Sequence, residues 1–204
     1  MLPCRTQHQV GGFGIVNEVK AEYRLTFGVN INIETANNLR SRIATILERG
    51  DFGSLTILFS SEGGSTDHSL ELFNFISQLP IAIHMHGMGH IGSSAVPVFL
   101  AGTRRTCSPF GRFFFHQYDW GFAERQTLHR IDEAVKRLRS DINMARQIIQ
   151  SRTDIPKDVL DSLEGGTAPT IIEPARAKVL RIIDDVCELP KTGNDGMKVA
   201  IWNA

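Results

Sequence analysis

The sequence has no excess of either charge: 22 lysines and arginines are matched by 22 aspartates and glutamates. Without a net field there is nothing to hold a polyanion, which argues against nucleic acid and anionic membrane as partners. Cysteine is scarce. Cys4, Cys107 and Cys187 are odd in number and widely spaced, with no CxxC or Cys/His pairing. Neither a disulfide framework nor a metal site is therefore expected, and the usage fits a reducing cytoplasm. No apolar run approaches the ~20 residues of a membrane span, and the opening MLPCRTQHQVGGFG lacks the charged-then-apolar pattern of a signal peptide. A cytoplasmic protein is expected. Internal repeats and low-complexity tracts are also missing.

What is present suffices for a full core: 204 residues, 42% hydrophobic and 22% charged, typical of one soluble globular domain. Residues 1–12 are polar and glycine-containing, an expected mobile tail. The stretch 13–27 contains strand-type alternation at Tyr23, Leu25 and Phe27. A helix is expected over 34–48, with Leu39, Ile43, Ile46 and Leu47 on one side and Gly50 as its stop. Leu55 to Phe59 reads as a buried parallel strand, ending at the turn Ser60-Ser61-Glu62-Gly63-Gly64-Ser65. A second helix, with Leu72, Phe73, Ile76 and Leu79 on one face, closes at Pro80, and a strand follows over 81–86. Strand, helix, strand, helix at this spacing predicts βαβ units on a parallel sheet. Ligands of such sheets sit at the carboxyl ends of the strands.

The stretch Gly87 to Gly102, GMGHIGSSAVPVFLAG, is the most informative in the chain. A strand that turns sharply into a helix puts the first helical side chain beside free backbone N–H groups and the positive dipole end, a useful place for a nucleophilic serine. Pro97 is tolerated in the first turn. An ordinary turn with Ser93 as a helix cap would use the same residues. Two further strands are expected at 104–107 and 112–116 around the turn Ser108-Pro109-Phe110-Gly111, with His116 closing the second.

From 123 to 151, Leu128, Ile131, Val135, Leu138, Ile142, Ala145 and Ile149 recur at three and four spacing among charges, predicting one long helix with a narrow apolar seam. Such a helix either lies across its own domain or forms an intersubunit arm. A short helix from Pro156 through Leu163, a turn at 164–169, a final helix over 173–185 and a mobile tail over 189–204 complete the reading.

Three motifs in this order resemble those of the Clp protease proteolytic subunit family, ClpP, within the wider ClpP/crotonase fold. Ser60 to Ser65 stands where that family carries Asn-Ser-Pro-Gly-Gly-Ser. Gly89-His90-Ile91-Gly92-Ser93-Ser94 resembles its Gly-x-Ala-Ala-Ser-Met nucleophile turn, and Phe115-His116-Gln117 resembles its Ile-His-Gln-Pro. The likeness covers about Leu25 to Val186. It implies an α/β fold of repeated ββα and βαβ units, with a head over about 13–118 and 155–188 and the 123–151 helix as a protruding handle.

By the same resemblance, Ser93 is the nucleophile and His116 its general base. Gly63 and Ser94 supply oxyanion N–H groups, and Gly64 shapes the hole. The implied activity is a serine endopeptidase without cofactor, cleaving peptides or unfolded proteins inside a homo-oligomeric ring or double ring. The position of the family's triad aspartate falls on Pro169 or Thr170, neither a carboxylate, so the third member is unknown. Asp119, Asp161 and Glu164 are near in sequence. Glu62 replaces a proline, and His86 and His90 flank the site. The N-terminal segment lacks a clear match to the axial loop that docks an unfoldase, which leaves a Clp-type ATPase partner open. A catalytically weakened structural subunit and a crotonase-like acyl-CoA enzyme are the alternatives.

Overall fold

A computed structural model describes residues 21–49, 52–165, 168–189 and 199–203. The expectations for residues 1–20, for Gly50, for 166–167 of the turn and for 190–198 and 204 of the tail lie outside them.

The alternating segments fold as the pattern predicts. Strands β1 (Ala21–Phe27), β2 (Phe52–Ser61) and β3 (Ile83–Gly92) run parallel. Between them lie α1 (Ile33–Glu48) and α2 (Thr66–Ser77), and α3 (Ala95–Phe99) follows. In register, Leu25, Ile57 and Met85 meet across the three strands. All three are fully buried, each burial contributing roughly 1.5–3 kcal/mol. Ala36, Leu39, Ile43 and Ile46 of α1 and Leu72 and Ile76 of α2 close over that face. A row of rings crosses the same layer: Phe27 stacks on Phe59 at 5.3 Å, and Phe99 packs at 6.3 Å from Phe59 and 5.2 Å from Phe113. Helix α1 begins where Asn32 and Thr35 cap each other reciprocally.

Period 2 sends the alternate residues to the other face, and those are polar. Arg24, Thr56, His84 and Arg104 form one register row across β1, β2, β3 and β4 (Arg104–Cys107).

Strand β3 has two neighbours in succession. Its first half pairs with β4 and its second with β5 (Arg112–Phe115), both parallel. Between the halves the β2 register slips, Phe59 facing Gly87 but Ser61 facing Ile91. Residues 87–92, expected as the turn, are therefore strand: the irregularity absorbs the extra residues, and the chain reverses at Ser93 and Ser94.

The long helix α4 (Leu128–Arg152) starts five residues later than the pattern suggests, because the Thr127 side chain accepts from Arg130 N–H and sets the boundary. Its seam divides. Ile142, Ala145 and Ile149 are buried against the head, whereas Leu128, Ile131 and Val135 are exposed. The reading as a helix lying across its own domain describes the second half.

Beyond the short α5 (Lys157–Asp161), three features depart from expectation. Residues Thr170–Ile172 form a strand, β6, antiparallel to β5. The final helix, α6 (Pro174–Val179), stops well short of 185. Ile182 N–H reaches back to Ala177 C=O at 2.9 Å and Arg181 N–H to Lys178 C=O at 3.1 Å, with Arg181 at φ +56°. That double closure ends a helix whatever the apolar spacing beyond it. The freed chain then forms β7 (Asp185–Val186) beside β4. The third departure is β8 (Val199–Asn203), which adds to the sheet parallel to β1 where a mobile tail was expected. A three-residue strand and a terminal edge strand are too short to show periodicity.

Candidate active site

The site is built where β2 and β3 end side by side. Ser93 follows the last residue of β3 and is held at φ +54°, a left-handed conformation uncommon outside glycine. Its N–H donates to Phe114 C=O at 2.9 Å, which pins the turn to β5. Strain of this kind in a non-glycine residue concentrates at functional positions.

The Gly63-Gly64 turn closes against Ser93. A Cβ on Gly63 would lie 2.9 Å from both Ser93 Cβ and Gly92 O, and one on Gly64 would lie 2.3 Å from Ile31 O. Both glycines also have positive φ. Glycine is thus required twice, by conformation and by room. The turn is locked from both sides: Ile31 N–H donates to Gly63 C=O at 2.8 Å, and Ser94 Oγ donates to Gly64 C=O at 3.2 Å. The structure therefore brings Gly63, Gly64, Ser93 and Ser94 into one corner.

The two expected amide donors differ. Gly63 N–H is engaged, donating to the buried Ser61 Oγ at 3.2 Å. Ser94 N–H has no acceptor among the described residues.

His116 sits just past β5, half-buried, its ring stacked on Phe114 at 5.1 Å. It makes no hydrogen bond among the described residues, to Ser93 or to any carboxylate. Asp161 is committed to Arg146 at 2.9 Å and Lys157 at 2.7 Å, Glu164 to Arg146 at 3.0 Å, and Asp119 is exposed. Strand β6 pairs Thr170 with Phe115, so the segment beside His116 ends in Thr170 and Pro169, with no acid in it.

The other histidines have separate partners. His90 Nδ1 accepts from Arg112 Nε at 3.1 Å, and burial, then the Arg112 charge, pushes its pKa below the ordinary value. His86 uses both ring nitrogens, on Thr106 Oγ1 at 2.7 Å and Ser108 Oγ at 3.1 Å. His84 shares the Thr106 hydroxyl at 2.7 Å. Burial pushes both His84 and His86 down to about 4. Among the described residues no three His, Cys, Asp or Glu side chains come together as metal ligands. Burial also pushes the Cys107 thiol up to about 12, leaving it inert as a nucleophile.

Two contributors escaped the sequence reading. Phe114 both holds Ser93 N–H and stacks on His116; alternation within Phe113-Phe114-Phe115 marked it as facing away from the core. Ser61 gave no signal beyond lying in the turn.

A search of curated protein sequences found no match. Among solved structures, a point mutant of ClpP1 from Listeria monocytogenes superimposes with a TM-score of 0.66, at 19% identity over 81% of this chain and 91% of that one. At that identity the likeness is one of fold: a mixed α/β layer on a parallel sheet, as in ClpP. The sequence itself fits the Clp protease family profile over residues 8–189, a span that takes in both glycine-containing turns, the β5 tip and the long helix, and the chain therefore belongs to the Clp protease family.

Proposed function

We propose that the protein is a serine endopeptidase that cleaves peptides or unfolded chains through an acyl-enzyme, without a cofactor, inside a homo-oligomeric ring in the cytoplasm. The observation that carries this reading is the corner itself, in which a serine at φ +54° packs on a double-glycine turn beside an amide with no acceptor among the described residues. Ser93 Oγ attacks the scissile carbonyl as His116 takes its proton, and His116 then returns that proton to the leaving amine. The developing oxyanion is met by Ser94 N–H and by Gly63 N–H, the latter turning from Ser61 Oγ. One such donor is typically worth ~10²–10³ in rate. The hydrogen bond between Ser93 and His116 forms when substrate fills the corner, since catalytic contacts commonly tighten on binding. The exposed seam of Leu128, Ile131 and Val135 joins copies of this chain, ring to ring.

A second reading has one specific observation in its favour: no carboxylate orients His116 among the described residues. Loss of that group alone costs about 10⁴ in kcat in a well-studied protease, which would make the chain a weak peptidase or a structural subunit. Hydrolysis of fluorogenic peptides decides. The peptidase reading expects turnover by the wild type and none by Ser93→Ala; equal turnover by both proteins would overturn it, and none by either would favour the structural subunit.

A further inference from the structure

Beside the corner lies a cleft of about 310 Å³ that the chemistry above does not use. One wall continues the double-glycine turn through Gly64, Ser65 and Asp67; another is Asp119 and Trp120, three and four residues beyond His116; the floor is Arg137 and Asp141 of α4. Gly63 is in contact with Ser93, and its neighbour Gly64 is about 3.8 Å further along the chain. The cleft thus opens within one residue of the corner.

Its charge is unbalanced. The Arg137 guanidinium is committed to Asp67 and lies over the Trp120 ring at 5.3 Å. Asp141, one helical turn further along α4, is left over. It is 4% exposed, lines the cleft, and accepts no hydrogen bond and joins no ion pair among the described residues. Burial, then the Asp67 charge, raises its pKa against the opposing pull of Arg137. The residue is buried while its carboxylate oxygens keep some contact with solvent, and a cationic ligand seated in the cleft gives them the partner they lack. Asp119 adds a second acid at the rim.

Resting on the peptidase reading, we infer that this cleft is a specificity pocket that seats a lysine or arginine side chain of the substrate, next to the scissile bond, on the Asp141 carboxylate. The cation enters alongside the Arg137 guanidinium, which spans the Trp120 ring and Asp67, and sets its own charge against Asp141 and Asp119. An anionic side chain meets those two acids and is refused.

The test uses three fluorescein-labelled peptides that differ at one residue, Lys, Gln or Glu, and reads their binding to full-length Ser93→Ala protein by anisotropy. The Lys peptide should bind at least about tenfold more tightly than the Gln peptide, the scale of one charge-assisted contact, and the Glu peptide most weakly. Asp141→Asn should shrink the Lys preference to about threefold or less; if that variant fails to fold, the exposed Asp119→Asn should still reduce it. Equal binding of the three peptides, no measurable binding of any, or a preference unchanged by the folded variants overturns the inference. A Lys preference in a protein whose Ser93 never reacts with a fluorophosphonate would instead overturn the peptidase reading and leave the cleft standing.

Discussion

His84 and His86 of β3 differ in kind from His116, just past β5. His84 and His86 lie within the polar face of the sheet, tied through the shared Thr106 hydroxyl and Ser108, and held neutral by burial. His116 rests on a phenylalanine ring, its ring nitrogens without a hydrogen bond among the described residues. An imidazole whose two nitrogens are occupied is structure. One whose ring nitrogens have no partner among the described residues is left available to a substrate or to a neighbouring side chain. Counting histidines near the motif would have treated them alike; their partners separate them.

The largest effect that would break this contrast is on turnover. His116→Ala should lower kcat/KM on a fluorogenic peptide by about 10²–10⁴, whereas His86→Gln should leave it within a few-fold in protein shown by circular dichroism to be folded. Comparable losses in both would erase the distinction.

Next comes the rigid wall. Gly64→Ala forces a Cβ to 2.3 Å from Ile31 O at a φ of +136°. A loss of about 2–4 kcal/mol in urea unfolding is expected, against under about 1 kcal/mol for Gly28→Ala, which meets nothing within 4 Å.

Stability against pH sharpens the buried pair. Their pKa values of about 4 in the folded chain lie below the ordinary 6.5. Between those values the unfolded chain binds more protons. The stabilisation is therefore complete above pH 6.5 and is lost as pH falls toward 4, by up to about 3 kcal/mol per histidine. Replacing both by Gln should flatten the pH dependence of the urea midpoint over that window; an unchanged slope would contradict the assignment.

The two halves of α4 offer a parallel test. Ile131→Asp should leave the monomer's unfolding curve nearly unchanged and reduce assembly size in sedimentation. Ala145→Asp should unfold the head. Leu138 packs partly on the core, so a charge there would confuse the two effects. The smallest effect is at the end of α6, where Arg181→Gly should stabilise by about 0.5–1 kcal/mol by relieving φ +56°.

Much of this was legible in the sequence because it rests on spacing. Leu39, Ile43 and Ile46 announced α1, and the runs 55–59 and 112–116 announced strands, since period 3.6 and apolar bursts survive in one dimension. The double glycine at 63–64 is readable for a similar reason: no other residue tolerates both its conformation and its contacts. What stayed hidden depends on partners distant in sequence. The strand at 170–172 exists because β5 offers it an edge, and the end of α6 is set by a backbone closure rather than by a breaker residue. Asp141 lay among the seam positions of α4 as one charge among many. Its isolation becomes visible once Arg137 is seen to turn to Asp67.

The proposed peptidase depends on the Ser93 hydroxyl as nucleophile and His116 as its base. The most direct measurement is reaction with a fluorophosphonate, with the modified residue located by peptide mapping, in the wild type and in His116→Ala. A single modification on Ser93 is expected, slowed at least about a hundredfold in the variant. Modification at another residue, or labelling of Ser93 at the same rate without His116, would contradict it.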